Sequence, residues 1–158
     1  MVRNQGWRIE VVDQDVDVYQ TSTALALDAD QPWVAYTKYF DLMLAFRDGA
    51  DWRYEVVEDA GSVSGSIELA IDSQGQPRIG YFNGGRLRYA VRTSQGWQLH
   101  DAEPAGLAAC CSAGFVLGQG DTPFFTITDA DSKDFLLVTT AVGTELIWLP
   151  LVLKGRVQ

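Results

Sequence analysis

The sequence predicts an all-β fold assembled from three copies of one unit. Three observations predict it: marker residues recur at one period, each copy divides into four short β-like runs between turn-formers, and no stretch of twelve residues carries a capped 3.6-residue apolar period.

The period comes first. Trp7, Trp52 and Trp97 are separated by 45 and 45 residues, and Pro32, Pro77 and Pro123 follow at 45 and 46. Between them Leu25-Ala26-Leu27-Asp28 returns as Leu69-Ala70-Ile71-Asp72 and, altered, as Phe115-Val116-Leu117-Gly118. Tyr36 and Tyr81 match at 45; Leu44-Ala45 matches Tyr89-Ala90 and then, after a small insertion, Leu137-Val138. A period between about 20 and 50 residues is the mark of a solenoid, propeller or array.

The runs are clearest in the second copy: Ser66 to Ile71, Arg78 to Phe82, Arg86 to Val91 and Trp97 to Asp101. Their separators are Asp72 to Pro77, Asn83-Gly84-Gly85 and Ser94-Gln95-Gly96. Asn-Gly and Gly-Gly between alternating runs signal hairpins, because those turns need positive φ. The first copy has Asp28 to Pro32 and Asp48 to Asp51 at the corresponding places.

Four antiparallel strands in about 45 residues is the size of one β-propeller blade. The order of a Trp strand, an LALD-x-x-x-x-P-x-x-x-Y hairpin (Leu25 to Tyr36, Leu69 to Tyr81) and an L-x-Y-A strand (Leu87 to Ala90) resembles tandem propeller repeats of bacterial proteins related to sialidase-type and lectin-type propellers. The resemblance spans nearly the whole chain; the third copy departs from it, with Gly118 for Asp and Thr126 or Ile127 for Tyr. It implies a single repeat domain over 1–158, with blades at 22–57, 66–101 and 112–153. It says little about function, since propellers host many roles.

Three blades cannot close around an axis, and each open face would expose an apolar patch. Two chains related by a two-fold axis would give a six-bladed ring, so a homodimer is expected. Residues 6–12 sharpen this expectation. Gly6-Trp7-Arg8-Ile9-Glu10-Val11-Val12 repeats Asp51-Trp52-Arg53-Tyr54-Glu55-Val56-Val57 almost residue for residue, so it reads as a fourth strand without its own blade. Leu146-Ile147-Trp148 competes with it for the last place in the third blade, although Trp148 falls 51 residues after Trp97.

Composition narrows the function classes. Of the 158 residues 47% are hydrophobic and 21% charged, a globular balance, and the net charge is −9. An acidic surface repels phosphate backbones, which argues against nucleic acid. No signal-peptide run opens the chain, and its longest apolar stretch, Leu146 to Leu153, is only eight residues and contains Pro150, so a cytoplasmic protein away from membranes is expected. Adjacent Cys110 and Cys111 do not make a disulfide framework. Arg86, Arg88 and Arg92 form the one basic cluster and read as a solvated strand face.

Catalytic and metal patterns are weak. Asp13, Asp15 and Asp17 alternate as in a calcium loop, but Val18 and Ala24 stand where Gly and Glu are needed, and Asp129, Asp131 and Asp134 fail similarly. No metal or other cofactor is therefore expected. Asp28 and Asp72 begin turns, where a carboxylate caps backbone amides. His100, the single histidine, has no serine in a nucleophile-elbow context, and a dyad with Cys110 or Cys111 has only composition behind it. A sialidase-like site would need arginines converging on a carboxylate, and the arginines read as unrepeated across the copies.

The candidate ligand contacts are Trp33, Tyr39, Phe40, Phe82 and Arg86, near the turn ends of second and third strands, although core or interface packing is the default reading of the four aromatics. The favoured expectation is a non-enzymatic module binding a small glycan or a protein; the alternative is a glycosidase- or lyase-type enzyme acting at the ring axis.

Overall fold

The computed structural model describes residues 6, 8–16, 22–59, 61–103, 107 and 109–140. They form three antiparallel sheets in chain order. The first is β1 (Thr23–Asp28), β2 (Gln31–Lys38), β3 (Asp41–Asp48) and β4 (Asp51–Glu58); the second is β5 (Val63–Ile71), β6 (Pro77–Asn83), β7 (Arg86–Thr93) and β8 (Gly96–Asp101). The third holds β9 (Ala109–Leu117), β10 (Pro123–Asp129) and β11 (Phe135–Thr139), with a short 3-10 turn at Gln119–Asp121. Each sheet is an up-and-down meander whose strand order is its chain order, and none closes on itself. The one helical piece among the described residues is that 3-10 turn.

Hairpin chemistry sets the register. Gly84 and Gly85 take φ of 58° and 79° between β6 and β7, the two left-handed residues of a type I′ turn. Tyr39 and Phe40, 45 residues earlier, hold φ of 53° and 69° in the same turn without a glycine. Two bulky side chains in the left-handed region strain that tip. β5 starts three residues before the expected run because a bulge at Gly65, φ 78°, carries the strand past a register shift between Ser64 and Ile67. Asp72 organises its turn as its sequence position suggests: its Oδ1 accepts the backbone N–H of Gln74 (2.9 Å) and of Gln76 (2.8 Å). The expected strand at Leu146–Trp148 lies outside the described residues.

Alternation divides each sheet between two neighbours. Ala35, Leu42, Leu44 and Val57 of the first sheet pack against Val63, Ile67, Ile79, Tyr81 and Ala90 of the second. The other face of the second sheet sets Phe82, Leu87, Tyr89 and Ala102 against Phe115, Phe125, Ile127, Leu136 and Val138 of the third. Tyr89 meets the Phe125 ring edge-on at 5.7 Å, and Phe125 stacks on Phe115 at 5.0 Å. Gly80 permits this approach, since a Cβ there would lie 2.8 Å from the Phe125 ring. The first strands follow one another through the stack, β1 beside β5 and β5 beside β9.

Among the described residues the two outer faces keep large apolar side chains exposed, the first being crossed only by residues 10–13. Leu25, Leu27 and Tyr54 on the first sheet are 66%, 59% and 47% exposed, whereas Leu69 and Leu99, at the matching places of the second sheet, pack against the first. On the third sheet Val116, Phe135 and Leu137 are 62%, 73% and 40% exposed.

Candidate functional site

A clamp of three residues joins successive units. Trp97 on β8 donates its indole N–H to Glu55 Oε2 on β4 (3.1 Å), and the Arg92 guanidinium on β7 pairs with the other oxygen of the same carboxylate. Forty-five residues earlier in every member, Trp52 donates to Glu10 (3.0 Å), Arg47 pairs with Glu10, and the Arg47 guanidinium lies 4.4 Å from the centre of the Trp52 ring. Arginines therefore do recur across the copies, contrary to the sequence reading. The basic cluster is also not a solvated face, because Arg88 and Arg92 reach across the seam to Glu58 and Glu55 on β4. Arg86 alone stays largely exposed, 3.2 Å from Glu103.

A second repeated pair lies beside the clamp. The Tyr36 hydroxyl donates to Asp13 (2.6 Å), which also pairs with Lys38 at 2.9 Å. Burial alone would raise the Asp13 pKa, but the bonds from Tyr36, Lys38 and the Gln14 N–H outweigh it and hold the carboxyl below its ordinary value. Tyr81 and Glu58 occupy the same two places 45 residues on, and burial followed by the neighbouring carboxylate pushes the Tyr81 phenol far up. Asp13 thus serves in an ion pair, and Asp17 lies outside the described residues. Asp129 shapes the β10–β11 turn, accepting from Asp131 N–H (3.1 Å) and the Ser132 hydroxyl (2.9 Å).

Among the described residues no such clamp joins the second and third sheets. The column that reads Glu10 and Glu55 continues 45 residues later as His100, and counting on from the Leu137-Val138 match puts Thr140 where Arg47 and Arg92 stand. A cavity of about 300 Å³ opens there, lined in part by Arg78, Tyr89, Gln98, His100, Asp121 and Thr140. Its polar groups are positioned from both sheets. Arg78 is held by Asp72 (2.7 Å), and Asp121 by the Ser73 N–H (2.9 Å) and hydroxyl (2.7 Å). Tyr89 is only 5% exposed, and its hydroxyl is buried beside the Arg78 guanidinium without a hydrogen bond of normal geometry. Burial pushes its phenol up to about 12 against the pull of Arg78. Burial, then Arg78 and Arg88, lowers the His100 pKa, which keeps the imidazole neutral near pH 7.

This set brings a buried phenol, a neutral imidazole, an amide and a hydroxyl to the cavity. Its two formal charges already have partners. Such a lining suits a neutral molecule rich in donors and acceptors, and an added charge would be left unpaired.

The five residues singled out in the sequence are not brought together here. Trp33 stacks on Phe46 at 4.8 Å, with Arg92 over both rings. Tyr39 and Phe40 form the exposed β2–β3 tip, at the other end of the strand that begins beside Trp33. Phe82 is in the core at 2% exposure, and Arg86 faces Glu103. His100 was legible as a departure from the column of Glu10 and Glu55, a signal found by comparing the copies position by position. Cys110 and Cys111 fall in β9, and their side chains lie outside the described residues. Among the described residues no group of three or more potential ligands could hold a metal ion, and no helix is long and apolar enough to cross a membrane. No protein-family model matches the chain, and no curated protein matches it.

Proposed function

We propose that the chain is a non-enzymatic binding module: its sheets stand as propeller blades, three per chain, in a six-bladed ring completed by a second copy. The cavity between the second and third sheets takes a small neutral, polyhydroxylated ligand of saccharide type. The observation that carries the binding reading is a cavity lined by Arg78, Tyr89, His100 and Asp121 at a seam from which, among the described residues, the Arg–Trp–Glu clamp is missing, with the Tyr89 hydroxyl buried beside it without a hydrogen bond. A buried polar group left without a partner costs about 1–3 kcal/mol, and a ligand hydroxyl would recover that. The ring is supported by the open apolar faces: Leu25, Leu27 and Tyr54 lead the stack and Val116, Phe135 and Leu137 end it, so the head of one copy meets the tail of another.

Titration of 15N-labelled protein with a panel of neutral mono- and disaccharides tests the binding reading. At least one sugar should shift the amides of Gln98, His100 and Asp121. Tyr89→Phe, which keeps the ring packed on Phe115 and Phe125, should weaken that sugar about tenfold. A panel that leaves these amides unmoved, or affinity indifferent to Tyr89→Phe, would contradict it. Turnover of a bound sugar would transfer the site to the enzyme class.

A further inference from the structure

Residues 8–13 carry the contacts of a fourth strand without belonging to a sheet. Residues 6–13 read GWRIEVVD against DWRYEVVE for β4. Glu10 binds Arg47 and Trp52 as Glu55 binds Arg92 and Trp97, and Asp13 faces Tyr36 as Glu58 faces Tyr81. The Tyr54 hydroxyl adds a bond to the Val12 carbonyl at 2.6 Å. Even the alternation agrees. Ile9 and Val11 point away at 93% and 63% exposure, as Tyr54 and Val56 do at 47% and 54%. β4 also has a backbone partner, β3, whereas no strand pairs with 8–13 among the described residues. On the third sheet β11 corresponds to β3 and β7, and no strand pairs with its outer edge among the described residues, which do not include Leu146–Trp148.

We infer that residues 8–13 of one copy add to the outer edge of β11 in a second copy, antiparallel, as the fourth strand of its third sheet. This rests on the ring reading given above. In the first sheet Leu44 faces Glu55 and Ala45 faces Tyr54. Carried across the repeat, that register sets Leu137 opposite Glu10 and Val138 opposite Ile9. Ile9 and Val11 then join the face that carries Leu136 and Val138, against the partner's second sheet, and their exposed apolar surface is covered. Glu10, Asp13 and the Val12 carbonyl keep the segment anchored on its own first sheet while its backbone edge serves the partner. Each copy gives one strand and receives one, so a two-fold dimer closes both seams. The donated strand also walls the cavity on the side of Thr140.

Cross-linking tests this in a background with Cys110 and Cys111 replaced by serine. Directly opposed residues lie within disulfide reach. Chains carrying Ile9→Cys alone, mixed with chains carrying Val138→Cys alone and oxidised after subunit exchange, should give a covalent heterodimer. Ile9→Cys with Phe135→Cys, on opposite faces, should give none. As Val138 is buried, a second measurement leaves β11 unaltered: a nitroxide on Ile9→Cys should broaden the amides of 135–139 in 15N-labelled, nitroxide-free copies. A dimer by mass without cross-link or broadening overturns strand donation and leaves the ring standing. A disulfide within one chain of the Ile9→Cys, Val138→Cys double variant overturns it too. A monomer under all conditions removes the ring and the donated strand together.

Discussion

At the residue scale the informative positions are those where the repeat is broken. Glu55 shows what an intact column does: one carboxylate accepts from Trp97 and pairs with Arg92 across a seam, with both charged side chains about a quarter exposed. Glu55→Gln keeps an acceptor for the indole but removes the charge, and urea unfolding should show a loss of about 1–2 kcal/mol. No loss would mean that the clamp is ornamental. His100 interrupts the same column. Its folded pKa lies below the ordinary value of 6.5, so the unfolded chain binds more protons and stability falls as pH drops below 6.5, levelling off below the folded value. His100 is the only histidine, whereas Glu68, raised by burial from 4.5, acts with the opposite sign at lower pH. The unfolding midpoint of the native protein should therefore decline between pH 7.5 and 5, and that of His100→Gln should stay closer to flat. Parallel declines would remove His100 as the cause. None of this was legible from residue types alone. A lone histidine has no motif, and the pattern surfaces only when Glu10, Glu55 and His100 are set in one column.

At the element scale the sequence was most legible where turn chemistry is explicit. Asn83-Gly84-Gly85 marked the β6–β7 hairpin and the strands on either side of it. The β2–β3 hairpin lacked that signal. Tyr39 and Phe40 read as ligand contacts near a turn end, whereas they are the two left-handed residues of the turn itself. The repeat supplies the remedy, because Gly84 and Gly85 fill these places in the second copy. Tyr39→Asn with Phe40→Gly should raise stability by about 1 kcal/mol through relief of the strained backbone, read as a higher melting temperature. A lower one would show that the exposed rings contribute more than the strain costs. Trp33 and Phe82 were legible as aromatics whose default place is core or interface packing, and they take that place, Trp33 at the seam and Phe82 in the core; what one copy did not show is which neighbour covers them. Exposure depends on which neighbouring sheet covers each face, and one copy read alone does not contain that neighbour.

At the scale of the whole molecule, the 45-residue period anticipated the three sheets seen among the described residues, because a meander that buries both faces needs neighbours like itself. It did not anticipate the clamp, whose members come from different copies. Stacked units buried face to face leave two ends, and here both are apolar. The central claim is that these ends meet in a second copy. The most direct test is the solution mass by light scattering after size exclusion. The account predicts a dimer of twice 17.4 kDa that persists on dilution to micromolar concentration. A single species at 17.4 kDa would contradict it, since Leu25, Leu27, Phe135 and Leu137 would then face water in the native protein.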